Sequence, residues 1–183
     1  MFRILKQALV TGVVTEPVPD DAELERLGLE LRRHIHVRFG RSLAIRQVDA
    51  GSCNGCELEI HALSNPYYDV ERFGVHFVAS PRHADALLVT GPVSRHMETA
   101  LRRTWRAMPA PKMVIAAGTC ACDGGEFGVS YASCGAVANV IPVDATIPGC
   151  PPEPRALLKG LLVILRSQDN RITGGEASSS APD

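Results

Sequence analysis

No stretch of this 183-residue chain is long and apolar enough to cross a bilayer. The longest apolar run near the C-terminus, Ala156 to Leu165, is broken by Lys159 and is half of the ~20 residues a span needs. The opening residues MFRILKQALVTG lack the apolar core and small-residue cleavage site of a secretory leader, and Arg32-Arg33 is followed by basic residues, unlike a twin-arginine export signal. A large charge of either sign is also lacking. The net charge is −1, which argues against attraction to nucleic acid or lipid headgroups. Six cysteines are too sparse for a disulfide scaffold. Gly118, Gly124, Gly125 and Gly128 do not form G-x-G-x-x-G, and no Gly-Lys-Ser/Thr follows, so no nucleotide cradle is indicated. The histidines show no helical pair of the metalloprotease kind. His76 reads as a surface or satisfied core residue, and His83 with Asp85 has no Ser or Cys nucleophile beside it. No internal repeat is present. These absences leave a protein of the reducing cytoplasm whose thiols stay available as ligands.

What is present is an alternation of strands and helices. Residues 1–40 stand apart. Thr15-Glu16-Pro17-Val18-Pro19-Asp20 reads as an extended linker. Asp20 or Asp21 caps a helix to about Arg38, with Leu24, Leu27, Leu31 and Ile35 on one face. That face either covers its own domain or, as a helical arm, docks a partner subunit. From Ser42 onward, Leu43–Val48, Val75–Ala79, Ala86–Thr90 and Met113–Ala117 read as strands, and Val140–Val143, which contains Pro142, as an edge strand. Helices are expected at Glu57–Ser64, from a Ser94 cap to Met108 with Met97, Leu101 and Trp105 in one stripe, and at Arg155–Leu165. The division expected is an arm at 1–40, an α/β domain at 41–168 and a disordered tail at 169–183. Such a pattern predicts a parallel sheet with helices on both faces and a ligand site beyond the carboxyl ends of its strands.

Four cysteines fall at those ends. Cys53 and Cys56, in Gly-Ser-Cys-Asn-Gly-Cys-Glu, follow the first strand. Cys120, in Gly-Thr-Cys, follows the fourth, and Cys150, in Pro-Gly-Cys-Pro-Pro, follows the fifth. All three turns should open on one edge. A socket of four thiolates suits an iron–sulfur cluster or zinc. Structural zinc usually takes two paired C-x₂-C knuckles, whereas two thiols here come singly. A thioredoxin-type redox pair would open a helix and need no further cysteines. Cys120-Ala121-Cys122 could also chelate as a C-x-C pair, and Cys134 lies within reach in sequence, but Cys122 and Cys134 read first as residues that pack around the site. Glu57, next to Cys56, reads as an acid complementing a helix N-terminus or as a candidate proton relay.

The strings Asp49-Ala-Gly-Ser-Cys-Asn-Gly-Cys-Glu-Leu-Glu-Ile, Gly118-Thr-Cys-Ala and Ile147-Pro-Gly-Cys-Pro-Pro resemble the proximal-cluster motifs of [NiFe] hydrogenase small subunits. The block from about Arg46 to Leu165 is similar to the 20-kDa subunit of respiratory complex I and its hydrogenase relatives. Val140-Ile-Pro-Val-Asp144 and Ala156-Leu-Leu-Lys-Gly160 fit as well. The Cys53/Cys56 spacing departs from the adjacent cysteines of complex I. Together with Thr11-Gly-Val-Val-Thr-Glu-Pro17 it resembles the membrane-associated, energy-converting hydrogenases of the formate hydrogenlyase type. The resemblance implies a flavodoxin-like fold and one [4Fe–4S] cluster on Cys53, Cys56, Cys120 and Cys150. It implies an oxidoreductase subunit with no catalysis of its own. Its expected partners are a large Ni–Fe-type catalytic subunit, a ferredoxin-like iron–sulfur subunit and membrane subunits, with peripheral placement on the cytoplasmic face of the inner membrane. Two alternatives stay open: a complex I-like subunit whose cluster donates to quinone, and a zinc-stabilised structural or assembly module.

Overall fold

The computed structural model describes residues 2–11 and 21–174, and the side chains only as far as residue 167 in the last helix. Five parallel strands form one sheet in the order β2-β1-β3-β4-β5. They are β1 (Leu43–Asp49), β2 (Val75–Phe77), β3 (Ala86–Thr90), β4 (Met113–Ala117) and β5 (Ala145–Ile147). This is the flavodoxin-like arrangement expected from the sequence, with its switch point between β1 and β3. Helices α1 (Phe2–Thr11), α2 (Ala22–Phe39), α3 (Gly55–Ala62), α4 (Arg95–Ala107), α5 (Thr119–Asp123) and α6 (Pro154–Gly174) complete the order.

Side chains alternate across the strands, and two apolar clusters result. On one face Leu43, Ile45, Leu88 and Ile115 meet α2, α3 and α6. On the other Leu87, Val89, Val114 and Ala116 meet Leu101 of α4 and Ala121 of α5. β3 and β4 are buried throughout, as their apolar runs require.

Helix ends follow their cap residues. Asp21 accepts a hydrogen bond from the Leu24 amide (3.1 Å) at the start of α2, and the Gly40 amide donates to His36 O (2.9 Å) at its end. Ser94 Oγ accepts from the Met97 amide (3.3 Å) to open α4. The Asp21 carboxylate also accepts from Tyr67 Oη (2.7 Å) and from Arg155, which ties α2 to α6. These contacts hold the Asp21 carboxyl below its usual range, led by the Leu24 amide bond and then by Tyr67. Leu24, Leu31 and Ile35 of α2 are all buried against the sheet face that α6 shares. No helix among the described residues is long and apolar enough to cross a membrane.

The fifth strand is misplaced by sequence reasoning. Val140–Val143 is not a strand. The chain forms a 3₁₀ turn at Val137–Asn139, buries Val140 and Ile141 against the α4 layer, and gives the Val140 carbonyl to the Arg102 guanidinium. Pairing begins only after Asp144, whose carboxylate takes the Val114 amide (2.7 Å). The apolar stretch fills the core as loop, so its composition mimics a strand. β2 also ends at Phe77 rather than Ala79, α3 starts two residues earlier than Glu57, and α6 continues to Gly174. Residues 175–183 of the expected tail, and the linker 15–20, lie outside the described residues.

Candidate metal centre

The Cys53–Cys56 turn is fixed from both sides. Asp49, the last residue of β1, accepts from the Gly51 and Ser52 amides (2.8 and 2.7 Å), which bends the chain over the strand end. Ser52 Oγ then accepts from the Asn54 amide (3.0 Å). Asn54 has φ +71°, a conformation asparagine tolerates, and it opens α3. From the neighbouring strand, Gly91 has φ +73°, and a Cβ there would stand 2.5 Å from the Ser52 nitrogen. The loop after β3 therefore touches the turn backbone to backbone, an approach only glycine permits.

The other two loops reach the same place. The Gly118 amide donates to Ile147 O and the Thr119 amide to Gly149 O (both 2.8 Å), which laces the Cys120 turn to the Cys150 turn. A Cβ on Gly118 would lie 2.6 Å from Cys56 Sγ. A Cβ on Gly55 would lie 3.6 Å from Cys53 Sγ and 3.7 Å from Pro151, the residue after Cys150. Three loops that follow β1, β4 and β5 thus meet beyond the carboxyl edge of the sheet, where the sequence places them.

Their thiols interact electrostatically. Burial pushes the Cys56 thiol up to about 11, helped by the Glu57 charge and then by Cys53, Cys120 and Cys150. Cys120 is also raised, by burial first and then by Cys150 and Cys53. Cys53 and Cys150 are exposed, Cys120 is half-buried and Cys56 is buried. Among the described residues no three His, Cys, Asp or Glu side chains form a group that could hold a single metal ion. The four cysteines are neighbours around one rim without forming an ion-sized cage.

Cys122 and Cys134 face elsewhere. Cys122 Sγ sits 3.5 Å from Ala116 O, and Cys134 Sγ donates to Glu98 Oε2 (3.4 Å) on α4. Burial raises both thiols, with Asp123 next for Cys122 and Glu98 next for Cys134. One sequence argument needs correction. Helix opening was expected to mark a thioredoxin pair, yet Cys56 does lie in the first turn of α3. What separates this site from such a pair is the arrival of Cys120 and Cys150.

Glu57 is more than a dipole partner. It is 7% exposed, and its oxygens accept from Ser52 Oγ (2.6 Å) and from the Thr90 hydroxyl. Sequence reasoning missed Ser52 and Thr90. The available signal was Thr90 as the one hydroxyl in the apolar string Ala-Leu-Leu-Val-Thr, at its carboxyl end.

Residues 53–164 match the family described as NADH ubiquinone oxidoreductase, 20 Kd subunit. The chain belongs to this family. It is 46% identical over 135 residues to formate hydrogenlyase subunit 7 of Escherichia coli, a match covering 74% of this chain and 53% of the relative. The chain thus spans about half the length of that relative. It is 45% identical to the probable membrane-bound hydrogenase subunit mbhJ of Pyrococcus furiosus, over 82% of this chain and 90% of the relative. Among solved structures it is similar to a chain of the membrane-bound sulfane sulfur reductase, an archaeal respiratory membrane complex. The TM-score is 0.62 at 34% identity, covering 71% of this chain and 72% of the other. The 20-kDa-subunit resemblance read from the cysteine strings is confirmed, and these relatives are subunits of oxidoreductases.

Proposed function

We propose that this 20-kDa-family subunit carries one [4Fe–4S] cluster on Cys53, Cys56, Cys120 and Cys150. In this reading it relays electrons between a large Ni–Fe-type catalytic subunit and a ferredoxin-like iron–sulfur subunit. Membrane subunits hold the complex at the cytoplasmic face. The observation that carries the reading is the meeting of three cysteine loops at one sheet rim. The donor set fits the group, because thiolates are the ligands iron–sulfur clusters take. The Gly118 turn also leaves Cys56 Sγ the space a side chain would fill. When bound, such a cluster exchanges one electron at a time.

The protein's own residues supply the setting. Cys56 is the interior ligand, held by α3. Cys53 and Cys150 are the outer ligands, and their exposure leaves them for a partner subunit to cover. Glu57 places a carboxylate beside Cys56, oriented by Ser52 and Thr90. Anaerobically purified complex should contain about four iron and four acid-labile sulfide per copy of this chain beyond those of the ferredoxin-like subunit, and give a further paramagnetic signal on reduction. A preparation without that extra iron, in which this chain holds stoichiometric zinc, would replace the relay by a structural module. The family description keeps a second reading in view, in which the cluster donates to a quinone. Paired C-x-x-C nickel ligands in the large subunit favour the hydrogenase reading, and their absence favours the quinone one.

Glu57→Gln separates two roles for this acid. It retains the shape and one acceptor oxygen while removing a negative charge, and the hydroxyl that meets the new amide nitrogen must turn to accept from it. If the acid tunes the cluster, the reduction potential rises by on the order of 50 mV, close to a tenfold shift in a one-electron equilibrium. Potentiometric titration reads that shift. Loss of turnover at an unchanged potential would instead make Glu57 a proton relay.

A further inference from the structure

The net charge of −1 conceals a separation of charge along α2. Between Glu30 and Asp49 the chain has no acidic residue, but it has five arginines and two histidines. Part of this segment opens on a cavity of about 570 Å³ lined by Leu29, Arg32, Arg33, Ile35, His36 and Arg41. Ser42 and Gly74, which immediately precede β1 and β2, also line it, so the cavity lies at the amino edge of the sheet. The thiol rim is at the opposite edge.

The cations come from two segments, α2 and the residues that follow it. Leu29, Arg32, Arg33 and His36 are spaced at three, four and seven residues, on one face of α2. Arg41, just beyond the Gly40 cap, also lines the cavity and is held in place: its Nη1 donates to Asp85 Oδ2 (2.9 Å) and its Nη2 to Asp85 Oδ1 (2.6 Å). Asp85 is thereby matched to Arg41. Glu30, the acid nearest Arg33 in sequence, gives its carboxylate to Arg166 of α6. The cavity keeps the positive excess of Arg32 and Arg33. Compensation of the α2 dipole accounts for His36 and Arg38 in the last turn. It does not account for Arg32 and Arg33, which lie before that turn, or for Arg41 beyond the Gly40 cap.

We propose that this cleft binds an anion through its phosphate group. Guanidinium groups pair with phosphate oxygens in a bidentate way, and the adjacent Arg32 and Arg33, in a cavity with no acid among its lining residues, suit such a group better than a carboxylate. Leu29, 52% exposed at the cavity wall, gives an apolar surface for any carbon the phosphate carries. An anionic lipid headgroup and a free phosphate share this chemistry. The site does not depend on the thiol rim, so failure of the cluster reading leaves it standing.

The test uses the detergent-solubilised complex that contains the full chain. Wild type, R32Q/R33Q and R103Q are titrated with short-chain phosphatidylglycerol and with inorganic phosphate. Arg103, exposed on α4, controls for diffuse surface charge. The expected result is binding at least tenfold weaker in R32Q/R33Q and unchanged in R103Q. A drop confined to phosphatidylglycerol assigns the site to a lipid headgroup, and a drop confined to phosphate assigns it to a free anion. Equal binding of both probes by wild type and R32Q/R33Q, no binding of either probe, or an equal loss in R103Q, would overturn the proposal. All three arginines project from helix surfaces, so the glutamine variants should fold.

Discussion

Complex purified with Cys150→Ala should lack about four iron and four sulfide per chain relative to wild type, or retain a three-iron form, and lose its electron-transfer activity. The expectation follows from position. Cys150 is the only thiol contributed by the loop after β5, and that loop is bound to the Cys120 turn by the Gly118 and Thr119 amides. No other cysteine can reach the same corner. Cys122 is the nearest substitute in sequence to Cys120, but its sulfur lies against the Ala116 and Ile147 carbonyls, on the strand side of α5. Cys134→Ala is the matched control. That thiol is 6% exposed and bonded to Glu98, so its loss should cost about 1 kcal/mol in packing and leave the iron content unchanged. Iron and sulfide analysis of the two variants side by side decides the ligand set. A full four-iron cluster in Cys150→Ala would remove Cys150 from it, and iron loss in Cys134→Ala would bring Cys134 in.

Much of this fold is legible before any coordinates. Leu43–Val48, Ala86–Thr90 and Met113–Ala117 are strands because helices cover both faces of the sheet, and continuous apolar runs report that directly. Ser94 and Asp21 announce helix starts because a side-chain oxygen satisfies an amide that the helix leaves open. The order of the cysteines was legible for the same reason: each follows a strand, and parallel strands end on one edge. Val140–Val143 defeated the reading because burial, not pairing, selects its residues, and an apolar loop held by Arg102 looks like an edge strand. The Glu57 contacts were out of reach for a different reason. Thr90 meets Glu57 only because β1 and β3 pair with Asp49 opposite Thr90, and register is a property of two strands. The same holds for charge. A net value of −1 describes a sum, whereas the cavity beside α2 depends on where Asp85 and Glu30 spend theirs.

Gly118→Ala should damage fold and site together. Gly118 has φ +89° and ψ 148°, a backbone conformation open to glycine and strained for alanine, costing about 1–3 kcal/mol. The added methyl would also lie 2.6 Å from Cys56 Sγ, inside van der Waals contact. Relief requires either the Cys56 side chain to turn away or the Gly118 turn to lift from Ile147 O, and either movement displaces a proposed ligand. Overpacking of this kind adds about 1–3 kcal/mol. The sum, on the order of 2–6 kcal/mol, is a large share of a domain's stability. The complex should therefore unfold at lower temperature and retain less iron. Gly40→Ala separates the two causes. Gly40 also has positive φ (+63°), but nothing lies within 4 Å of its Cβ position. It should cost about 1–2 kcal/mol of backbone strain and no iron. If both variants lost stability but kept full iron, the contact between Gly118 and the Cys56 thiol would have no part in holding the cluster. If Gly118→Ala alone lost iron, the glycine would be identified as the element that keeps the interior ligand in place.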